Sequence, residues 1–189
     1  MTNRGIYVEE NFLNKDECTQ IIQNCRESLS PGTVGASSSV NEELRRSNVM
    51  MITNSLQEAD LFHKINKKIW EVNQKYFLYD VRKLNFLQFT EYSEKYSGKY
   101  DVHVDLWNGV DSAGAECSRK LSLTIQLSEP SDYEGGELCF PDNDMYNSES
   151  VKGRGTLVVF SSFEPHGVTP VTRGDRYSLV GWALGPHWR

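Results

Sequence analysis

The segment Tyr100-Asp101-Val102-His103-Val104-Asp105 decides how the rest of this chain is interpreted. His103 and Asp105 are two positions apart, so on a β-strand both side chains leave the same face. An imidazole and a carboxylate on one face supply two of the three protein ligands of a facial metal site. The strand that we predict here, at 99–106, therefore needs one further imidazole from elsewhere in the chain.

Composition and charge limit the classes of protein to which the chain can belong. Its 189 residues, 38% hydrophobic and 24% charged, fit one globular domain over residues 1–189. The net charge of -6 and the pI near 5.3 argue against a nucleic-acid surface or an anionic membrane partner. No apolar leader follows the first residue and no segment is apolar for long enough to span a bilayer, so we expect a cytoplasmic protein. The oligomeric state stays open.

Hydrophobic periodicity predicts two helices followed by many short strands. The first helix begins after Asn14, whose capping-box partner is Glu17, and ends near Leu29. The second helix spans 55–76, where apolar residues recur at spacings of three and four. A strand precedes each helix, at 5–8 and at 48–53, and the second of these is expected to be buried. From residue 83 the period changes to two, and we predict strands at 83–92, 99–106, 120–128, 137–140, 155–160, 166–171 and 176–184.

This order of elements predicts an α+β protein. Residues 83–185 are expected to form a jelly-roll core, and residues 1–80 a mainly helical support whose helices pack on one sheet. The inner face of the other sheet would then stay uncovered and could carry the functional site.

The chain contains four histidines, and their positions in the predicted elements separate them. His63 lies on the second helix, where a surface role is expected, and His187 lies two residues from the end of the chain. His166 follows an apolar strand and begins another β-segment, a rigid setting that suits a ligand. His103, Asp105 and His166 together make the facial triad typical of non-haem Fe(II) oxygenases. Zinc accepts the same ligands, and a histidine so close to an aspartate also arises by chance as a simple hydrogen-bonded pair.

Arg176 supplies the second element of the predicted site. It begins the strand at 176–184, and a guanidinium that enters the interior of a β-barrel is costly unless it meets an anion. Its planar donors suit a carboxylate. Arg173 precedes a glycine in a predicted turn, where a solvated charge is expected.

Several motifs in a fixed order resemble the Fe(II)- and 2-oxoglutarate-dependent dioxygenases, in particular the prolyl 4-hydroxylase-like branch that includes the PKHD-type hydroxylases. The resemblance covers about residues 86–182, half of the chain. Each motif is weak alone, and their order and spacing carry the resemblance. The first 80 residues resemble, more weakly, the helical support that precedes the core in that branch. The matching residues are Tyr92, 100–105, RKLSLTIQLS at 119–128, EGGEL at 134–138, PHGVTPV at 165–171 and GDRY at 174–177.

The resemblance implies a double-stranded β-helix in which His103, Asp105 and His166 bind Fe(II). 2-Oxoglutarate, the cosubstrate, would chelate the metal and pair its distal carboxylate with Arg176. Strand alternation turns Gln126 inward, where several animal oxygen-sensing prolyl hydroxylases have a tyrosine. The other residues implied to line the cosubstrate pocket are Tyr92, Thr124 and Leu138, with Ser122 facing the same way.

The implied reaction is oxidative decarboxylation of 2-oxoglutarate by O2 to succinate and CO2, coupled to hydroxylation of a substrate C–H bond. Ascorbate enters as an auxiliary reductant that such enzymes can require. The carboxylate at position 105 favours hydroxylation, because the related halogenases lack a carboxylate there. The family branch favours a prolyl residue of a peptide or protein as substrate, and a free amino acid or other small molecule is the alternative.

Substrate recognition is expected from Trp107, Trp182 and Tyr100. Trp107 directly follows the metal ligands and could stack on a proline ring, Trp182 should lie near the metal, and alternation places Tyr100 on the face opposite His103. Ordinary packing is the competing interpretation for all three. Loops at 30–46, 107–117 and 141–150 are expected to shape the substrate site, and in the first of them Arg45 and Arg46 either attract an acidic substrate or lie on the surface.

Two other classes of protein stay open. One is a noncatalytic jelly-roll binding module, and the other is a cupin-like dioxygenase that uses no 2-oxoglutarate. The combination of the triad with Arg176 argues against both.

Overall fold

Two antiparallel β-sheets form a jelly roll, and two helices cover the outer face of the larger sheet. The computed structural model describes residues 2–3, 5–34, 39–53, 58–111, 113–143 and 146–188. The predicted α+β jelly roll is confirmed. With strands numbered in chain order, the larger sheet runs β1 (Thr2–Asn3), β2 (Ile6–Glu9), β12 (Leu157–Ser161), β9 (Glu116–Gln126), β14 (Val171–Gly185), β6 (Lys83–Ser93), β5 (Asn48–Ile52) and β3 (Ser30–Pro31), with β10 (Tyr133–Gly135) on β14 and β8 (Asn108–Val110) on β9.

The smaller sheet brings distant parts of the chain together at one end of the jelly roll. Its two central strands are antiparallel, and their pairing sets His103 directly opposite His166. In spatial order its strands are β11 (Leu138–Cys139), β13 (His166–Val168), β7 (Lys99–His103) and β4 (Arg45–Arg46).

The central strands β6, β9 and β14 carry different chemistry on their two faces. The side chains that pack toward the helices are apolar and buried: Leu87, Phe89, Leu121, Leu123, Ile125 and Leu179. Those on the alternate positions are mostly polar, although they are also buried: Gln88, Thr90, Tyr92, Ser122, Thr124, Gln126, Arg176 and Ser178. Burial of a polar group costs free energy unless the group is paired. The polar groups of this inner face therefore need hydrogen-bond partners, either one another or a ligand.

The two helices supply the apolar layer on the outer face of the larger sheet. Helix α1 (Lys15–Cys25) has the predicted capping box, in which the Asn14 Oδ1 accepts from the Glu17 backbone N–H at 2.9 Å and the Glu17 carboxylate accepts from the Asn14 N–H at 2.8 Å. It ends at Cys25, one turn before Leu29. Helix α2 (Ala59–Val72) continues as one π-helical turn, Asn73–Phe77, and residues 54–57, where this helix was expected to begin, lie outside the described residues. The two helices contact the sheet through these buried side chains: Cys18, Ile21 and Cys25 of α1, and Phe62, Ile65, Ile69 and Val72 of α2.

The first 80 residues contribute short strands as well as the expected helices. The two faces of strand β5 differ: Ile52 is buried in the core on the helix side, whereas on the cavity side Val49 is buried but Met51 is 44% exposed. The expectation of a buried strand at 48–53 therefore holds for Val49 and Ile52 but not for Met51, because β5 lies near the edge of the sheet beside an open cavity. Neither helix in the described ranges combines the length and the apolar character needed to cross a bilayer.

Two predicted strands are shorter than expected because the chain crosses between the sheets. Strand β7 ends at His103 instead of at residue 106, and the next residues lead to β8, which pairs with β9 of the larger sheet. Likewise β13 ends at Val168, and Thr169 and Pro170 lead into β14. A segment that leaves one sheet for the other cannot keep its ladder hydrogen bonds.

We expect Ile125→Ala to lower the free energy of unfolding by about 2–5 kcal/mol, because it opens a cavity where a helix packs on the central strand. Ile125 is 0% exposed. Val110→Ala, at a position that is 62% exposed, is the control and should change it by less than about 0.5 kcal/mol. Urea unfolding measures both, and equal effects would contradict this assignment of the core.

Candidate metal centre

Three side chains from two distant segments of the chain, 103–105 and the start of β13, converge at the end of the smaller sheet. The His103 Nε2 lies 3.7 Å from one carboxylate oxygen of Asp105, and the His166 Nε2 lies 3.5 Å from the other. The three ligand atoms all lie within 4.8 Å of one another. Asp105 stands just beyond the end of β7. The alternation of the strand continues to it, because Val102 and Val104 are exposed while His103 and Asp105 both face the site, as the spacing predicts.

Hydrogen bonds to backbone carbonyls orient both imidazoles for metal binding. The Nδ1 of His103 lies 2.8 Å from the Asp101 carbonyl oxygen, and the Nδ1 of His166 lies 2.9 Å from that of Glu164. A carbonyl oxygen only accepts, so each Nδ1 carries the hydrogen. The lone pair of each Nε2 is then directed at the shared site, as in histidines that bind metals.

The charges of the site suit a divalent cation. Burial opposes ionisation of Asp105, but the adjacent imidazoles of His166 and His103 and a hydrogen bond from Ser122 hold the pKa of its carboxyl below the ordinary value. The Ser122 Oγ donates this bond at 2.7 Å. Burial, reinforced by His166, lowers the pKa of His103 to about 4. At neutral pH the carboxylate is charged and the His103 imidazole is neutral, which are the forms that ligate metals.

The triad opens into a cavity of about 750 Å³ between the two sheets. A volume of this size lies in the range of small-molecule sites. Its lining includes every residue that the sequence analysis assigned to the site except Gln126: Tyr92, Tyr100, His103, Asp105, Trp107, Thr124, Leu138, His166, Arg176 and Trp182. Gln126 lines a smaller adjoining cavity, to which Thr124, Leu138 and Arg176 also contribute.

Arg176 faces this cavity as an incompletely paired cation. It is 4% exposed, and its Nε donates to the Gln126 Oε1 at 3.0 Å. Its Nη1 is buried and has no hydrogen-bond partner in the described part of the chain. The guanidinium also lies 5.6 Å from the ring centre of Tyr92. A buried, unpaired guanidinium N–H is costly, so the donor set fits a carboxylate ligand between Arg176 and the triad.

Tyr100 lies on the same face as His103, and the expectation that it faces the other way is wrong. The two rings stack with their centres 3.6 Å apart and their planes at 18°. Tyr100 pairs with Val168 and His103 with His166, so β7 uses three residue steps where β13 uses two. This β-bulge rotates Tyr100 onto the cavity side, and single-residue bulges are not visible in a periodicity pattern.

Both predicted tryptophans line the cavity, and Trp182 also has a packing role. Trp182 is buried, contacts Phe86 edge to face at 5.3 Å between ring centres, and has an indole N–H without a partner in the described residues. Trp107 is partly buried at the cavity wall. Residues 35–38, 112 and 144–145 of the three loops expected to shape the substrate site lie outside the described residues.

Sequence reasoning assigned no definite role to two arginines of the cavity wall. Arg45 is 7% exposed, and its guanidinium carbon lies 4.7 Å from the ring centre of Tyr100, so it is not a surface residue. The Arg119 guanidinium carbon lies 4.0 Å from the ring centre of Trp182. An irregularity in the pairing of β9 with β14 turns Arg119 toward the cavity, out of phase with Ser122. In the sequence, only the RKLSLTIQLS motif at 119–128, which begins with Arg119, indicated that this residue could matter.

Comparison with known proteins agrees with this geometry. Residues 87–184 match the model of the 2OG-Fe(II) oxygenase superfamily. A PKHD-type hydroxylase of Hyphomonas neptunium is 32% identical over 187 residues, which cover 93% of this chain and 76% of that protein.

Two solved structures are similar over nearly the whole chain. A prolyl-4-hydroxylase of Pseudomonas putida has a TM-score of 0.73 and 26% identity, and the match covers 95% of this chain and 92% of that one. A prolyl hydroxylase from Trichoplax adhaerens, solved with a peptide fragment of the hypoxia inducible factor oxygen degradation domain, has a TM-score of 0.73 over 96% of this chain and 84% of that one. Its identity is 19%, so this likeness concerns the fold alone.

The resemblance seen in the sequence motifs is thus confirmed by independent comparisons of family, sequence and structure. The His103, Asp105 and His166 cluster has the ligand types that Fe(II) oxygenases use. This chain belongs to the 2OG-Fe(II) oxygenase superfamily, whose members use Fe(II), 2-oxoglutarate and O2.

Proposed function

We propose that this protein is a 2-oxoglutarate-dependent hydroxylase that acts on prolyl residues of a peptide or protein. The observation that carries the proposal is one cavity that joins the triad, the incompletely paired Arg176 and a wall of aromatic side chains. Family membership favours this activity over a noncatalytic binding module or a cupin-like dioxygenase without 2-oxoglutarate.

His103, Asp105 and His166 are the residues that would hold Fe(II). Three ligands on one side of the ion leave its other positions for cosubstrate and O2. The hydrogen bond from Ser122 keeps the Asp105 carboxylate in place, and the two carbonyl contacts keep the imidazoles in place. When bound, Fe(II) and 2-oxoglutarate supply the O2-dependent oxidation that is characteristic of this family.

Arg176 would bind the distal carboxylate of 2-oxoglutarate. Tyr92 stands opposite Arg176 in the pairing of β6 with β14, and burial raises the pKa of its phenol, which keeps the hydroxyl protonated as a hydrogen-bond donor. Thr124 and Leu138 line the wall shared by both cavities. These buried groups orient the cosubstrate and limit the access of water to the reacting atoms.

The remaining cavity has the character of a peptide site. A cavity of about 750 Å³ is larger than a five-carbon dicarboxylate fills, and Trp107, Tyr100 and Trp182 give the remainder apolar, flat walls. Such walls suit the ring of a proline. The likeness to the Pseudomonas putida prolyl-4-hydroxylase supports the same substrate class.

The second candidate substrate is a free amino acid or another small anionic molecule. Three arginines line the cavity, and Asp105 is the single carboxylate among its lining residues in the described part of the chain. Arg119 makes one long hydrogen bond, 3.5 Å to the Asp105 carbonyl oxygen. Its remaining donors suit either a peptide carbonyl or the carboxylate of a free amino acid.

A cytoplasmic location and a benefit from ascorbate belong to the proposed hydroxylase function as well.

Asp105→Ala should abolish metal binding at this site and turnover of 2-oxoglutarate, because two imidazoles alone no longer form a facial triad. Mn(II) binding by calorimetry and succinate formation with Fe(II) measure the two effects. His63→Ala, at an exposed position on α2, is the control and should leave both nearly unchanged. Turnover retained by the Asp105 variant would exclude this cluster as the catalytic metal centre.

Arg176→Leu should raise the Kd for 2-oxoglutarate by roughly 10- to 100-fold, because charge-assisted hydrogen bonds contribute about 1.5–3 kcal/mol. Calorimetry on the Mn(II)-loaded protein measures the Kd. Arg173→Leu is the matched control, since Arg173 is exposed and bonds to Glu134 at 2.8 Å. Equal losses in the two variants would mean that Arg176 has no particular role in cosubstrate binding.

The substrate class is tested with proline-containing peptide libraries and free amino acids, incubated with the protein, Fe(II), 2-oxoglutarate and ascorbate. We expect a gain of one oxygen on proline within peptides, detected by mass spectrometry, and none on the same peptides with alanine at that position. Oxidation of free amino acids with untouched peptides would favour the second candidate. Failure to form succinate with any substrate would overturn the hydroxylase itself.

A further inference from the structure

Gln126 bonds to both Arg176 and Tyr133 in the wall of the cavity. Its Oε1 accepts from the Arg176 Nε at 3.0 Å, and its Nε2 donates to the Tyr133 hydroxyl at 3.2 Å and to the Ser128 carbonyl oxygen at 3.3 Å. The amide orientation is determined chemically, because the arginine Nε only donates and the carbonyl oxygen only accepts. Both amide hydrogens of Gln126 are therefore engaged within the protein. It has no hydrogen left for a ligand carboxylate.

Tyr133 is the residue whose donor remains available. It is 5% exposed on β10, and its hydroxyl oxygen accepts from Gln126, so its own hydrogen is directed to another partner. No acceptor for that hydrogen is found among the described groups. The Arg176 Nη1 is likewise buried and unpaired in the described part of the chain. Gln126 thus holds both the Tyr133 phenol, which has an unused O–H, and the Arg176 guanidinium, which has an unused N–H.

Both donors face the small cavity of about 10 Å³ that adjoins the main one. This is about the space of a single water, and a carboxylate oxygen is of similar size. Gly136 forms a close wall of this cavity, since a Cβ there would lie 3.1 Å from the Arg176 Cδ and 3.5 Å from a ring carbon of Tyr133. Lys152 also lines it, but its ammonium already bonds to Glu137 at 2.9 Å and to Glu149 at 2.6 Å.

We propose that Tyr133 donates a second hydrogen bond to the distal carboxylate of 2-oxoglutarate, beside Arg176. Gln126 is then a positioning residue, which holds both donors and does not touch the cosubstrate. The inference rests on the proposed function, because it takes 2-oxoglutarate as the ligand of this cavity. It assigns Tyr133 a role for which the sequence provided no signal, and it changes the role expected for Gln126 from direct contact to support.

The first test replaces Tyr133 by phenylalanine, which removes the hydroxyl and keeps the ring. The Kd of the Mn(II)-loaded protein for 2-oxoglutarate, measured by calorimetry, should rise about 3- to 10-fold. The Kd for pyruvate, a 2-oxo acid without a distal carboxylate, should not change, nor should the affinity for Mn(II). The KM for 2-oxoglutarate should rise with kcat preserved. Tyr177→Phe is the matched control, because Tyr177 is next to Arg176 in the chain but its hydroxyl donates to Glu91 at 3.3 Å.

The second test separates support from direct contact by Gln126. Gln126→Leu should raise the Kd for 2-oxoglutarate about tenfold, since both donors lose their orientation. Adding Tyr133→Phe to this variant should change the Kd by less than twofold, because the phenol is already misplaced. Multiplied effects of the two substitutions would show that each residue binds the ligand independently, and would overturn the positioning role.

Different results would overturn the proposed function and the role of Tyr133. If the unaltered, Mn(II)-loaded protein did not bind 2-oxoglutarate, the proposed function would fall and this inference with it. If it bound 2-oxoglutarate and Tyr133→Phe left that Kd unchanged, this inference alone would be overturned. An equal loss of affinity for 2-oxoglutarate and pyruvate would have the same meaning, because the hydroxyl would then act on the site as a whole and not on the distal carboxylate.

Discussion

The antiparallel pairing of β7 with β13 is the constraint on which the active site depends. It sets two imidazoles from residues far apart in the chain opposite each other, within reach of one metal ion. Neither strand could do this alone, because each contributes one histidine. The third candidate ligand, Asp105, lies two residues after His103 on the same face, where the chain leaves the smaller sheet for the larger one. The carboxylate of Asp105 lies on that crossing, where a hydrogen bond from Ser122 of the larger sheet holds it. The candidate metal centre thus lies at a junction between the two sheets.

The larger sheet divides its two faces between stability and chemistry. The face toward the helices carries the aliphatic core, which supplies the free energy that folding requires. The face toward the cavity buries an arginine, two glutamines and several hydroxyls. Such groups stay buried at low cost only when they bond to one another or to a ligand. Gln126 satisfies one donor of Arg176, and the Arg176 Nη1 has no partner among the described residues. A carboxylate that accepted from this donor would offset the cost of burying it.

The side chains that line the cavity give its two sides different chemical character. Tyr100 stacks on His103 and lies beneath the Arg45 guanidinium, so the outer side of the metal centre is flat and partly apolar. Arg176 and Tyr133 lie toward the small polar cavity on the inner side. If the proposed function holds, the dicarboxylate cosubstrate and a peptide substrate would each find matching groups on a different side of the candidate metal centre.

Much of the fold could be read from local patterns, since these depend on a few neighbouring residues. Alternation from residue 83 onward, the capping box of α1 and the apolar stripe of α2 each reflect such local requirements, and the predicted jelly roll with its helical layer is confirmed. The spacing of His103 and Asp105, the position of His166 and the lone Arg176 likewise indicated the metal and carboxylate chemistry, because ligand types are a property of the residues themselves. The bulges that turn Tyr100 and Arg119 into the cavity, the burial of Arg45 and the bonding of Gln126 to Tyr133 were decided only in the tertiary structure. A bulge depends on how two strands register against each other, and a side-chain hydrogen bond depends on which strands become neighbours. Neither is encoded in the local sequence period.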